Sequence, residues 1–193
     1  MGTIPASQAT LRTGEVITLR SALSADAAAV LPGAKRIFGQ SDTVLTQADE
    51  FTMTVEEEAK FLTTRAESPY GLFVLALAGP VSATPLDPSR IIGIGGLDPM
   101  HRRRALHNVN LGLMVDSAWH GKGVGDALMT ALMAWARANP LIRRVQLEVV
   151  ATNPRAIRLY ERHGFVTEGR RKGCFQRQPG VFEDDLIMAA DVV

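Results

Sequence analysis

The sequence predicts an α/β fold in which a mixed β-sheet carries helices on both faces. Short apolar or alternating segments typical of strands are interleaved with amphipathic segments typical of helices. Their order, β-α-α-β-β-β-α-β-α-β-β, implies such a mixed sheet. In addition, a glycine-rich turn joins one of the central strands directly to a long helix, an arrangement that often binds phosphate groups.

The first 14 residues are small and polar, and they predict a flexible tail over residues 1–14. A single domain is predicted over residues 15–193, because a chain of this length forms one core. Residues 16–20 alternate between apolar and polar side chains and predict the first strand.

Two helical regions follow in the N-terminal half. Residues 22–38 predict one or two helices, with a break at Pro32 and Gly33. Thr54 is a favourable N-cap and is followed by an acidic first turn, so a helix is predicted over residues 54–66.

The rest of the chain reads as six strands and two helices. A Pro-rich loop is predicted over residues 79–90. Pro154 suits the first turn of a helix, and Gly164 suits its end. The predicted helices cover residues 123–138 and 154–163, and the predicted strands cover residues 71–77, 91–97, 108–115, 144–150, 165–169 and 184–190.

Composition excludes several classes of protein. Hydrophobic residues make up 46% of the chain and the net charge is +1, which argues against disorder and against nucleic-acid binding. Every long apolar run is broken by Gly, Pro or charge, so no membrane span is predicted. The start lacks signal-peptide features, and the single Cys174 excludes an internal disulfide. A cytoplasmic protein without nucleic-acid or membrane partners is expected.

The segment from Val115 to Leu128 predicts a phosphate-binding loop. Glycines let a backbone approach a ligand closely, and the start of a helix leaves N–H groups unpaired at the positive end of its dipole. The backbone N–H groups of Gly121 to Asp126 therefore predict a phosphate cradle. The Walker string is absent, and Asp126 occupies the place where a dinucleotide fingerprint needs its third glycine.

Two motifs carry a resemblance to a known family. The spacing His120-x-x-Gly123-x-Gly125 resembles the Gln/Arg-x-x-Gly-x-Gly/Ala signature of the GNAT acyl-CoA N-acyltransferases, with His in the first place. A segment from Asn153 to Phe165, which begins 28 residues after Gly125, resembles their Asn-x-x-Ala-x-x-Leu-Tyr-x-x-x-Gly-Phe pattern at every defined place. The resemblance covers about residues 91–190, judged by the order of motifs and elements.

The C-terminal ending narrows the resemblance. The run from Gly180 to Met188 resembles the Gly-x-Tyr-x-Asp-x-x-x-Met ending of bacterial GNAT proteins that acetylate free amino acids and similar small amines. The resemblance thus implies acetyl transfer from acetyl-CoA (coenzyme A) to a small-molecule amine, with no metal. Acetylation of a protein N-terminus, as by ribosomal-protein acetyltransferases of this fold, and a non-catalytic acyl-CoA sensor stay as alternatives. A homodimer is a further possibility.

The resemblance also implies where acetyl-CoA binds. The cradle holds the pyrophosphate, with Lys122 adding a positive charge, and the strand before it splays from residues 144–150 and exposes backbone groups to the pantetheine arm. Asn153 is implied to contact CoA, although as an N-cap it would stabilise the following helix instead. The implied cofactor-binding residues are Met114, Val115, His120, Gly121, Lys122, Gly123, Val124, Gly125, Asp126, Asn153, Ala156 and Tyr160.

For catalysis, the resemblance implies that Tyr160 protonates the leaving CoA thiolate, a role suited to a phenol of pKa about 10. The general base stays open. Related proteins carry an acid two places before the strand glycine, but here that place holds Asn110, which is no base near neutral pH. His107 and Glu148 are the two candidates, and each could equally be an ordinary surface residue.

Basic clusters suggest contacts with anions. Arg170 and Arg171 stand where the substrate-side loop begins and are predicted, with Asn110, as substrate-binding residues that could hold a carboxylate. They could equally be merely solvated. Arg102 to Arg104 predict a solvated turn, with attraction of an acidic substrate or the CoA 3′-phosphate as the alternative.

Overall fold

A computed structural model describes residues 1–41, 49–80 and 85–192. Its eight strands form one sheet in the order β1-β2-β3-β4-β5-β6-β8-β7, and only the β5–β6 pair is parallel. The predicted mixed sheet is therefore confirmed. The strands are β1 (Ser7–Thr10), β2 (Val16–Ser21), β3 (Leu72–Ala78), β4 (Ile91–Pro99), β5 (Asn108–Val115), β6 (Arg144–Val150), β7 (Val166–Gln178) and β8 (Val181–Asp191). The helices are α1 (Ala27–Phe38), α2 (Val55–Glu67), α3 (Val124–Ala138) and α4 (Pro154–Arg162).

Helices cover both faces of the sheet, as predicted. The apolar stripe of α3, which includes Leu128 and Leu132, is buried against one face together with residues of α4. On the other face, α1 and α2 bury Ile37 and Leu62 against β3 and β4. None of the helices in the described residues has both the length and the apolarity needed to cross a membrane.

The flexible tail predicted over residues 1–14 is wrong in its middle part. Ser7–Thr10 forms β1, which pairs antiparallel with β2. The outer edge of β2 would otherwise present unpaired N–H and C=O groups, and even a polar segment can satisfy them through backbone bonds alone. The following residue, Leu11, is buried in the core, which anchors this strand.

Pro32 does not break α1, contrary to the sequence prediction, because the helix runs through it from Ala27 to Phe38. The apolar residues on either side of Pro32 are buried, so packing outweighs the lost backbone hydrogen bond. Gly33 fits the helix closely against β4, since a Cβ there would lie 3.0 Å from Ile91 Cδ1. By contrast, the start predicted at Thr54 is confirmed: its hydroxyl accepts from Glu57 N, completing a capping box.

The C-terminal hairpin of β7 and β8 is longer than predicted. Sequence patterns indicated strands only over residues 165–169 and 184–190, whereas the two strands together span 166–191 apart from a short turn. Most of β7 is exposed on both faces, so it lacks the apolar alternation that reveals a strand. Within the predicted Pro-rich loop, residues 81–84 lie outside the described residues.

The centre of the sheet is split. β5 and β6 pair only through Asn108–Asn110 and Arg144–Gln146. Beyond these residues each strand keeps its other neighbour, β4 or β8, but the two do not pair with each other. The predicted splay is confirmed, and it opens the space in which the candidate site lies.

Candidate active site

A cavity of about 710 Å³ occupies the splay between β5 and β6. Leu111 to Val115 of β5 form one wall, and Glu148 to Val150 of β6 form the facing wall. The volume is typical of pockets that bind small molecules and cofactors. The glycine loop and α4 both contribute residues to the lining, so both sequence motifs meet at this cavity.

The cradle, Gly121 to Asp126, forms the start of α3 as predicted. Gly123 is the N-cap residue and has φ +109°, a conformation that other residues rarely adopt. Because glycine has no side chain to cap the helix, the first N–H groups of α3 stay available to a ligand. Val124, Gly125 and Asp126 line the cavity, so this helix start faces it. The arrangement suits an anion.

Gly125 has a packing role that the sequence did not indicate. A Cβ at this position would lie 3.1 Å from Leu159 Cδ2, so the absence of a side chain lets α4 approach α3 closely. This contact holds α4 beside the cradle. The Gly-x-Gly spacing therefore serves helix packing as well as the loop.

The predicted charge contribution of Lys122 is not supported. Its Nζ lies 3.0 Å from Glu15 Oε1 and 4.5 Å from the centroid of the Trp119 ring, and the side chain does not line the cavity. An ion pair and a cation–π contact hold the ammonium away from the cradle. Arg12 lies over the cradle instead, since its Nε is 3.8 Å from the position of a Cβ on Gly123.

Arginines supply the positive charge around the cradle. Arg12 is 73% exposed in its side chain and lies 3.8 Å from Asp126. Asp126 also accepts two hydrogen bonds from Nη2 of Arg162. Burial raises the pKa of Asp126, but the hydrogen bonds and charges of Arg162 and His163 together outweigh burial and lower it. The arginines that line the cavity are Arg12, Arg155, Arg158 and Arg162. The alternative attraction proposed for Arg102 to Arg104 finds no support, because they lie between β4 and β5, outside the cavity lining.

His120 binds the protein rather than standing free for phosphate. Its Nε2 lies 2.8 Å from the carbonyl oxygen of Val115. A carbonyl oxygen only accepts hydrogen bonds, so Nε2 of His120 carries the hydrogen. Nη2 of Arg155 lies 3.4 Å from the same Nε2, but both atoms are donors, so this contact is not a hydrogen bond. The carbonyl of Val115, one of the backbone groups predicted for the pantetheine arm, is therefore already engaged. Met114 and Val115 both line the cavity, in the part of β5 that does not pair with β6.

Asn153 is the N-cap of α4, the structural alternative raised from the sequence. Its Oδ1 accepts a hydrogen bond from Ala156 N at 3.1 Å. The N–H of Ala156 is thus used within the helix start. Both residues also line the cavity, so contact with a ligand through their other atoms stays a prediction.

Tyr160 lies on α4 and lines the cavity, with only 7% of the residue exposed. Its ring packs against Phe165 at a centroid distance of 5.9 Å, which fixes the position of the phenol. Burial raises the pKa of Tyr160 to about 12, because an apolar environment disfavours the phenolate. The side chain is therefore a protonated phenol throughout the neutral range, as a proton donor requires.

The structure separates the two candidate bases. Glu148 lines the cavity and its side chain is 51% exposed. His107 precedes β5 at the end that pairs with β6, is exposed, and does not line the cavity. The cavity lies along the other part of β5, which does not pair with β6, so the structure gives no support to His107 as the base. Asn110 is also outside the lining, and Gln146 donates to its Oδ1 at 2.8 Å.

Arg170 and Arg171 are both engaged by protein carboxylates. Arg170 donates from Nε to Asp184 Oδ2 at 2.6 Å and does not line the cavity, so its predicted substrate contact is not supported. Arg171 donates to Asp185 and contacts Glu148, whose Oε2 lies 2.5 Å from Nη2. Its Nε and Nη2 donors are therefore used within the protein rather than kept for a substrate carboxylate.

Four phenylalanines line the cavity, although none of them was predicted from the sequence. The rings of Phe61 and Phe73 meet edge to face at 5.6 Å and 89°. One signal for Phe61 was present in the sequence. Phe61 adjoins the buried Leu62, and because adjacent helix residues face different directions, a large apolar side chain next to Leu62 points to a second apolar surface on α2. The missed aromatic wall consists of Phe38, Phe61, Phe73 and Phe175. Nowhere in the described ranges do three or more His, Cys, Asp or Glu side chains form a group that could hold a metal ion.

The splayed sheet, the glycine cradle and the cavity between them define an acyl-CoA-binding type of site, and comparisons identify the family. The model of the Acetyltransferase (GNAT) family matches residues 44–165. The chain belongs to this family, which confirms the predicted family, fold and acyltransferase class.

Individual relatives agree with this assignment. The chain is similar to the L-amino acid N-acetyltransferase AaaT of Escherichia coli, with 32% identity over 99 residues, which are 51% of this chain and 60% of that protein. A GNAT-family acetyltransferase structure from Streptococcus pneumoniae has a TM-score of 0.82 and 28% identity, over 92% of this chain and 99% of that one. The Salmonella typhimurium protein yncA, solved with acetyl-CoA, shares the fold with a TM-score of 0.73 at 17% identity, over 92% and 94% of the two chains.

Proposed function

We propose that this protein is an acetyl-CoA-dependent N-acetyltransferase that transfers acetyl directly to the primary amine of a free amino acid or a similar small molecule. The observation that carries the proposal is a single cavity that joins the cradle, the splayed strands, Tyr160 and Glu148. The similarity to the L-amino acid N-acetyltransferase of E. coli supports the acceptor class. The aromatic wall supports a compact acceptor, because its apolar rings line the cavity and those of Phe61 and Phe73 pack against each other.

The donor end of the cavity fits the chemistry of CoA. The N–H groups of the cradle and the arginines around it, Arg12 among them, match a negatively charged pyrophosphate. Beyond Asn110, the edge of β5 that does not pair with β6 offers backbone hydrogen-bonding groups to the amide-bearing pantetheine arm, as a strand offers them to a neighbouring strand. Acetyl-CoA is the acyl donor in this proposal, and its thioester lies in the splay near Tyr160.

Transfer then needs three proton movements. The acceptor ammonium gives its first proton to Glu148, directly or through water, and the free amine forms a C–N bond with the thioester carbon. As the tetrahedral intermediate collapses, the C–S bond breaks and the Tyr160 hydroxyl protonates the departing thiolate. The nitrogen releases its second proton, which returns the Tyr160 phenolate to the phenol through water. Glu148 thus acts as the general base and Tyr160 as the general acid.

A screen of acceptors tests the proposal. Purified protein with acetyl-CoA is offered amino acids, other small amines and short peptides, and the released CoA thiol is measured. We expect turnover with small amines and little with peptides. Turnover confined to peptides would favour N-terminal protein acetylation, and acetyl-CoA binding without turnover on any acceptor would favour an acyl-CoA sensor.

Acetyl-CoA binding should depend on the absence of a side chain at Gly123. Gly123→Ala places a Cβ on the cradle and strains the backbone, so we expect the rise in melting temperature caused by acetyl-CoA to be largely lost. Gly180→Ala is the matched control, because Gly180 also has a positive φ (+81°) but lies in the β7–β8 turn. Both variants should melt lower without ligand. Equal acetyl-CoA shifts in the two would contradict the cradle.

Arg12 should contribute more to the affinity for CoA than Lys122 does. A charge-assisted hydrogen bond to phosphate contributes about tenfold or more in affinity, so Arg12→Ala should weaken CoA binding by roughly that factor. Lys122→Ala should change the affinity less than about threefold, because Lys122 is held by Glu15 and Trp119. Calorimetric titration with CoA measures both. A larger loss for Lys122→Ala would show that its side chain turns to the ligand.

A further inference from the structure

Asp185 is a fully buried carboxylate that the mechanism above does not use. It lies on β8 between its two neighbours, opposite Val150 of β6 and Arg171 of β7. Its Oδ2 accepts from Nε of Arg171 at 3.0 Å and from Nη2 as well. Its Oδ1 is buried and has no hydrogen-bond partner in the described part of the chain. Such an incompletely satisfied buried charge is costly, so stability does not explain its presence.

Arg171 links this carboxylate to Glu148. Asp185 and Glu148 both line the cavity, and Arg171 lies between them outside the lining. Arg171 pairs with Asp185 in the β7–β8 ladder, immediately before the ladder becomes irregular between Arg171 and Phe175. The Arg171 side chain is 43% exposed, and its guanidinium is held by two carboxylates. One is the rigid, buried Asp185. The other is Glu148, whose Oε2 lies 2.5 Å from Arg171 Nη2.

We propose that Asp185 is a positioning residue that acts through Arg171 to hold Glu148 in place for proton transfer. The proposal rests on the proposed function, in which Glu148 is the base. Asp185 fixes Arg171, and Arg171 binds Oε2 of Glu148, which leaves Oε1 to receive the proton of the acceptor amine. Without this support, a carboxylate that is half exposed samples several rotamers and is less often aligned with the amine.

A double-mutant cycle tests the link between Asp185 and Glu148. Acetyl-transfer rates are measured for wild type, Asp185→Asn, Glu148→Gln and the double variant, with acetyl-CoA affinity measured in parallel. We expect Asp185→Asn alone to lower kcat by about 10–100-fold with unchanged acetyl-CoA affinity. In the Glu148→Gln background it should change kcat by less than about twofold, because residues that act as a unit are not additive.

Controls separate positioning from folding. Asp191→Asn removes a carboxylate on the same strand that pairs with Arg144 at 3.1 Å, far from Glu148, and should keep wild-type kcat. If Asp185→Asn melts early, the paired variant Asp185→Leu with Arg171→Met removes both charges and restores an apolar interior. This variant should fold, bind acetyl-CoA normally and show the same loss of kcat.

Three results would overturn the positioning role in an active enzyme. The first is that the losses of kcat in Asp185→Asn and Glu148→Gln add up in the double variant. The others are a wild-type kcat in the variant that combines Asp185→Leu with Arg171→Met, and a wild-type kcat in Glu148→Gln. A wild-type protein that binds acetyl-CoA but acetylates no amine would instead refute the proposed function, and the positioning role with it. The two failures are therefore distinguishable in a single set of measurements.

Discussion

Replacing Tyr160 by phenylalanine is expected to lower kcat by about 10²–10⁴-fold, the usual contribution of general acid catalysis. The substitution removes the hydroxyl and keeps the ring, so the contact with Phe165 and the fold should be preserved. Acetyl-CoA affinity should change little, because the cradle and β5 provide the predicted contacts with the cofactor. Single-turnover acetyl transfer measures the effect on chemistry itself.

The pH dependence of the wild-type enzyme gives a second check on Tyr160. Burial raises the pKa of this phenol to about 12, so the donor stays protonated as pH rises through the neutral and moderately alkaline range. No loss of kcat attributable to Tyr160 is expected below about pH 11. A donor whose thiol is more acidic should reduce the defect of Tyr160→Phe, since that leaving group needs less protonation. Wild-type kcat in Tyr160→Phe, with chemistry rate-limiting, would show that the phenol is structural.

Replacing Glu148 by glutamine is expected to have an effect of similar size, with kcat falling by about 10²–10⁴-fold near neutral pH. Glutamine keeps the shape of the side chain and a hydrogen-bond acceptor for Arg171, but it cannot take a proton from the acceptor ammonium. The loss should shrink as pH rises, because the solvent then deprotonates the amine without help. A pH–rate profile of wild type and Glu148→Gln measures both effects.

His107→Gln is the matched control for the base. His107 is outside the cavity lining, so this variant should keep the wild-type rate and pH profile. A loss in His107→Gln together with full activity in Glu148→Gln would reverse the assignment. A Glu148→Gln defect that is constant across pH would point to a role in substrate binding.

The motifs predicted the location of the site, because most of the site is formed by backbone geometry. Glycine spacing and a strand-to-helix pattern predict the cradle, and they do so without any information about distant parts of the chain. The order of elements likewise predicts the mixed sheet. These features are local in sequence, which is why they can be read from it.

Other features depended on contacts that no local pattern records. The partners of Lys122 include Glu15, more than a hundred residues away, so its direction could not be read from the loop. Pro32 stays helical because its neighbours pack on the sheet, and tertiary burial overrides local propensity. Asp185 looks like one acid in an acidic run, and only the three-strand arrangement of β6, β8 and β7 shows that it is buried beneath Arg171.

The position of β1 has a practical consequence for anyone who shortens this protein. A version that begins at residue 15 would leave the outer edge of β2 unpaired, and a bare edge strand invites pairing with other molecules and aggregation. It would also remove Arg12, which lies over Gly123. Trimming residues that look dispensable in the sequence would thus produce a poorly behaved protein with weak cofactor binding, and both defects could be mistaken for evidence against the site itself.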